Sequence, residues 1–194
     1  MPITHPPAET VELTDQETWL TFQLHHQTFA VPVDAVVQVI AMPTITPVPR
    51  MNRTVEGLIN LRGEAVPVIN LHRHLGLPEP RFQLHTPIMI VRARGQTIGL
   101  IADEVQEVIQ FPAQAIVQPQ DVLPEGLRDV PSLRGMTYMQ SRLILLLEVD
   151  QLFGNATAAQ LVQAASVVSA AVSAPTLETE AIVGLAPEGE GLPC

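Results

Sequence analysis

Six histidines, one cysteine and one adjacent acidic pair are the residues of this 194-residue chain best suited to chemistry. His72 and His74 form an H-x-H with His85 further on, and His25-His26 is a second pair. An H-x-H sets two metal ligands on one face of a strand but on different faces of a helix, and 72–75 reads as a helical turn. No cysteine or clustered carboxylate completes a ligand set, which must close around an ion in number and geometry. Exposed histidines and no metal are expected. Cys194 is the last residue, where nothing activates its thiol. Asp103-Glu104 recurs in the first half only as Asp34-Ala35, and a recurring aspartate at a turn more often bonds backbone than moves protons. Neither a G-x-S-x-G elbow nor a Gly-rich phosphate loop occurs. The expectation is no catalytic residue, no cofactor and no enzyme.

Charge narrows the partners. All 10 bases are Arg, against 20 acids, for a net charge of -10. Nucleic acid and anionic membrane surfaces both select a cationic footprint, so neither is an expected partner. A lone cysteine permits no internal disulfide, which suits a reducing, cytoplasmic compartment. The N-terminus has no basic or apolar signal region, and no apolar run of 18 residues is present, so neither secretion nor membrane insertion is expected. Both ends carry four acids and no base: Glu9, Glu12, Asp15 and Glu17 at one, Glu178, Glu180, Glu188 and Glu190 at the other.

The elements that must position any site come from hydrophobic alternation. Residues 1–17 read as a mobile acidic leader. Residues 18–24, 28–32 and 36–40 read as strands, the first with Leu20, Phe22 and Leu24 on its inner side. Pro43, Pro47 and Pro49 make 43–50 a loop or an edge. Residues 55–62 and 65–71 read as two strands joined at Gly63-Glu64, followed by a helical turn at 72–75 capped by Gly76. The pattern then restarts. At an offset of 69, residues 18–40 overlie 87–109 without a gap, with Gln27, Thr28, Asp34, Val36, Val39 and Ile40 repeated as Gln96, Thr97, Asp103, Val105, Val108 and Ile109. At an offset of 78, residues 57–75 overlie 135–153. Such repetition decides architecture. Two small barrels are expected, about 18–75 and about 87–153, with strand exchange allowed and a groove between them. Leu161, Ala165, Val168 and Val172 fall at helical spacing. Residues 154–174 therefore read as an Ala-rich helix folding back on the body, with a tail or a partner-binding helix as alternatives, and 175–194 as a disordered acidic tail.

The densest signal is GLINLRGEAVPVINL, 57–71. Period 2 puts Asn60 and Arg62 on one strand face. Arg62 either ends a strand and pairs with Glu64 or Glu56, or projects beside the groove, where a guanidinium suits an interface. Both readings stand on the residues alone.

The stretch VEGLINLRGEAVPVINL (55–71) resembles the signature of CheW-like proteins, the adaptors of bacterial chemosensory arrays. Residues 18–33 and 36–40 resemble that family's opening strands, IGLIADEVQEVI (98–109) its second-half motif, and 143–153 its closing strand and turn. The resemblance implies a mainly β fold of two intertwined five-stranded SH3-like barrels, with short helical turns and no catalytic activity. The partners it implies are a chemoreceptor's cytoplasmic hairpin tip, the regulatory domain of a CheA-type histidine kinase, and other CheW-like proteins in array rings. A helical tip would lie in an apolar groove, placed at Val36, Val39, Ile40, Gly57, Gly99, Val105 and Val108, with glycines allowing close approach and Asn60 and Arg62 fixing it. The bland reading of the valines is barrel core. The kinase contact would use the Pro-stiffened loop of Met42, Pro43, Ile45, Pro47 and Val48. A stand-alone small-ligand binder using the groove is the alternative. The segment beyond 153 exceeds the part that carries the resemblance, so a flagellar, pilus-based or phototactic array is left open.

Overall fold

The computed structural model describes residues 15–49, 51–119, 132–139 and 141–152. The Ala-rich segment 154–174, the tail 175–194 and most of the leader lie outside them. Ten strands follow in order: β1 (Gln16–Leu24), β2 (Gln27–Pro32), β3 (Val36–Ala41), β4 (Val55–Leu61), β5 (Glu64–Asn70), β6 (Pro87–Ala93), β7 (Gln96–Ile101), β8 (Glu104–Pro112), β9 (Leu133–Met139) and β10 (Arg142–Leu147). One α-helix, α1 (Leu71–Leu75), follows β5, and 3-10 turns occupy Val33–Ala35, Ala113–Ala115 and Val149–Gln151.

The strands form two five-stranded sheets ordered β8-β1-β2-β10-β9 and β3-β6-β7-β5-β4. Each takes strands from both halves of the chain, so the two units are intertwined. The repeat maps one order onto the other, strand for strand. Neighbours are antiparallel except β2 with β10 and β5 with β7, which are parallel and equivalent. The expected barrels are open sheets. No ladder joins β8 to β9 or β3 to β4 among the described residues. Instead one isolated bridge, Thr46↔Leu58, ties the segment after β3 to β4, and Val117↔Met136 does the same after β8.

Alternating side chains build three cores. Trp19, Ala30, Ile109, Phe111, Ile144 and Leu146 fill the first sheet's concavity, and Ile59, Val66, Val68, Ile88, Ile90 and Ile101 fill the second's. Between the sheets lies the largest cluster, with Leu20, Phe22, Phe29 and Val31 from one and Ile69, Met89, Val91 and Leu100 from the other. Burying side chains of this kind stabilises by about 1.5–3 kcal/mol each, so the sheets are held as one body by apolar contact.

The β4–β5 hairpin turns one residue earlier than the sequence pattern indicated. β4–β5 turns at Arg62-Gly63 (φ 56° and 89°), and β6–β7 at Arg94-Gly95 (48° and 76°). Two consecutive left-handed residues match the twist of the flanking strands, which a turn at Gly63-Glu64 would not. α1 begins at Asn70, whose side chain accepts from Arg73 N, and ends at Gly76 in the left-handed conformation (φ 68°).

Candidate partner-binding surface

β3 and β8 are the edges of their sheets and are equivalent under the 69-residue repeat. Their inner sides match. Val36 and Val105 both pack against the core between the sheets, and Ile40 and Ile109 belong to the two sheet cores. Their outer sides do not. β3 turns Val37, Val39 and Ala41 to solvent, with Val37 52% and Val39 43% exposed. The counterparts on β8 are Gln106, Val108 and Gln110, of which only Val108 is apolar, at 56% exposed. A row of outward aliphatics on an unpaired edge is a liability that stable proteins otherwise avoid. The sequence pattern singled out Val39 and Val108 and missed Val37, whose signal was a valine on the side of β3 where alternation demands a polar residue.

The loop after β3 is anchored rather than loose. Met42 and Ile45 pack into the second sheet's core, and Thr46 exchanges backbone hydrogen bonds with Leu58 at 2.8 and 2.9 Å. Pro43 and Pro47 face solvent and Val48 is half-buried.

The two glycines expected to leave room for a partner helix have that room filled by this chain. A Cβ on Gly57 would stand 2.4 Å from the Thr46 carbonyl oxygen and 2.7 Å from Ile45. A Cβ on Gly99 would stand 2.8 Å from Ile88 and 3.3 Å from Val68, inside a core. Asn60 and Arg62 do not share a strand face. Asn60 Oδ1 accepts from Gly63 N at 2.8 Å, so this side chain builds the hairpin turn. Arg62 sits in the turn itself, exposed, with no partner at Glu64 or Glu56. Glu56 is engaged elsewhere.

Glu56 belongs to a polar cluster around α1. Arg73 bridges Glu56 (2.9 Å) and Glu79 (2.8 Å), and the buried Asn70 donates to both carboxylates. The hydrogen bond from Arg73 holds the Glu79 carboxyl below its ordinary range, and the same bond raises Arg73. Burial lowers His74. His72 departs from expectation, being wholly buried, with Nε2 3.2 Å from Asp103 Oδ2. Asp103 also accepts from the His25 backbone N–H at 2.6 Å, a backbone-bonding role at a turn.

This arrangement has an apolar edge and a pinned loop. The model for the CheW-like domain matches residues 18–157. The chain belongs to the CheW-like domain family. It is 30% identical over 138 residues to the chemotaxis protein CheW of Thermotoga maritima, covering 71% of this chain and 88% of that one. It is 30% identical over 144 residues to the chemotaxis protein CheW of Bacillus subtilis, covering 73% and 89%. The crystal structure of the scaffolding protein TtCheW from Thermoanaerobacter tengcongensis superposes with a TM-score of 0.65 at 28% identity, covering 73% of this chain and 94% of that chain. The fold and chemotaxis-scaffold family expected from residues 55–71 are therefore established.

Elsewhere on this CheW-like body, a hollow of about 510 Å³ is lined by Glu17, Trp19, Pro32, Asp34 and Arg134 among others. None of the residues expected to bind a receptor or kinase lines it. Arg134 is already committed, 2.6 Å from Glu17 and stacked 5.3 Å above the Trp19 ring. Asn60 and Arg62 do not line it either and stand at a hairpin tip. No described helix is long and apolar enough to cross a membrane.

Proposed function

We propose that this protein is a non-enzymatic adaptor that couples chemoreceptors to a CheA-type histidine kinase and controls that kinase, in the cytoplasm at membrane-associated arrays. The observation that carries the reading is the outer face of β3, apolar where its equivalent on β8 is largely polar, on a chain of the CheW-like family. The receptor's helical hairpin tip lies along Val37 and Val39 and is extended by Val108, with Val36, Ile40 and Val105 holding these strands from the inner side. Helix-in-groove docking of this kind is carried by a few aliphatic anchors. Arg62, presented on a rigid turn, supplies the polar contact. Gly57, Gly99 and Asn60 contribute from behind, by shaping the sheet and its turn.

The kinase's regulatory domain takes the loop of Met42, Pro43, Ile45, Pro47 and Val48. Met42 and Ile45 fix it from inside and the prolines face outward, so little conformational entropy is lost on docking. Other CheW-like proteins share the array ring.

The test is co-sedimentation with array-forming receptor fragments and the kinase from the same organism, with phosphorylation read in parallel. Wild type is expected in the ternary pellet. Val37→Glu should reduce its share about tenfold or more, since a buried unpaired charge at an apolar contact costs at least about 1.4 kcal/mol. Gln106→Glu, at the equivalent β8 position, should leave it unchanged. Wild type absent from the pellet, or equal losses in both variants, would overturn the reading.

A further inference from the structure

The chain passes between its sheets at only two places among the described residues, the turn Val33–Ala35 and the pair Ala102 and Asp103. Asp34 and Asp103 are equivalent there, yet the crossings are built differently. At the second, Asp103 N donates to Gln23 O (3.0 Å) and Ala102 N to Pro87 O (3.2 Å), while Asp103 Oδ2 accepts from His25 N (2.6 Å). His72 Nε2 lies 3.2 Å from the same oxygen. An ionised carboxylate only accepts, so this contact places the ring proton on Nε2. The ring is wholly buried and its Nδ1 has no partner, so Asp103 is its one polar contact among the described residues. At the first crossing the counterpart of His72 is Asp150, which accepts from Arg94 N at 2.7 Å. Two carboxylates cannot bond each other, and Asp34 stays exposed.

We propose that His72 is a positioning residue: through Asp103 it fixes the second crossing and the start of β8, and so sets Val105 and Val108 relative to β3 without touching a partner. Glu104 opens β8 one residue after Asp103, and Val105 packs on the inter-sheet core that Leu71, the neighbour of His72, also enters. The second crossing is thus tied by a side-chain pair from α1, whereas the first is held by Val33 and Ala35 on the inter-sheet core and by the Asp150 contact to Arg94 N. The consequence for docking rests on the adaptor reading; the consequence for β8 does not.

The experiment is residue-resolved amide exchange on the full chain, with co-sedimentation in parallel, for wild type, His72→Leu and His72→Gln. Leucine fills the space without a donor; glutamine restores one. His72→Leu should speed exchange of the His25 and Asp103 amides about tenfold or more and weaken docking, while the β2–β10 ladder keeps its protection. His72→Gln should recover both. Unchanged exchange at His25 and Asp103, uniform loss of protection across both sheets, or no recovery with glutamine overturns the assignment. Full docking by His72→Leu despite a loosened crossing overturns its link to partners. Wild type that fails to dock while the exchange response holds retires the adaptor reading and leaves the assignment to β8 supported.

Discussion

On β4 the edge carries Glu56, and its counterpart on β9, 78 residues later, is Arg134. The first is held by Arg73 and Asn70 of the helical corner, in a cluster that also captures Glu79 from the connector. The second is held by Glu17 of β1 and by the face of Trp19. The pairs of sites around His72 and Asp150, and around Val37 and Gln106, diverge in the same way. Inside, the halves are both mainly apolar, and differ only in degree where buried Thr21 and Thr137 stand in place of Ile90 and Ile59. Outside they are released from the demand of burial, and each half has acquired its own polar fastenings and its own surface. Internal repetition thus serves as a control: an outward residue without a reason in its own half is a residue with work to do elsewhere.

The comparison can be broken first at its glycines. Gly57 and Gly135 are equivalent, and both are crossed closely by the segment that follows an edge strand. On Gly57 an added Cβ meets a backbone carbonyl at 2.4 Å; on Gly135 it meets the Ile116 side chain at 2.6 Å and a carbonyl at 3.0 Å. A side chain gives way more readily than backbone. Gly57→Ala should cost about 3 kcal/mol and Gly135→Ala about 1 kcal/mol in urea denaturation, and equal costs would show the two crossings to be alike. A smaller contrast lies in the ion pairs. Arg73→Ala should lose about 1 kcal/mol and Arg134→Ala about 0.5 kcal/mol, since water screens each of these half-exposed contacts. Only the latter should shift Trp19 fluorescence. The smallest effect is a pH slope confined to the α1 corner. Burial lowers His74 from its ordinary value of 6.5, so below that pH the unfolded chain binds the proton more readily. Stability falls as pH drops from about 6.5 through the folded value. His74→Gln should flatten that limb of a melting-temperature profile.

Alternation and the repeat made the strands and their duplication readable from residues alone. They could not reveal which strands share a sheet, because an offset says what is repeated and not what is paired; the ladders that cross between the halves, β1 with β8, β3 with β6, β2 with β10 and β5 with β7, decide that. The turn slipped by one residue because Arg62 looks like a strand residue until the twist of the hairpin is considered. Gly57 was expected to let a partner helix approach closely, but a sequence does not say who approaches, and Thr46 of the same chain does. His72 was unreadable for a related reason: a five-residue helix has no periodicity to mark its buried side, and the burial comes from packing across distant segments. Val37 was legible in principle, as an apolar residue out of phase.

Interleaving the strands also dictates an order of assembly during synthesis. The sheet β3-β6-β7-β5-β4 has all its strands once Ile101 has been made. The other sheet must wait for β10, whose parallel ladder joins Ile144 to Thr28. Until β8 is made, β1 and β2 are a hairpin without a further neighbour, and two strands alone are marginal in water. The nascent chain therefore completes its second-numbered sheet first and carries its first strands unfinished to the end. Long-range pairing of this kind is slow to form. A ribosome pause after residue 101 should leave a half-built body in which the face of β3 is already displayed while β8, the edge that complements it, has yet to appear.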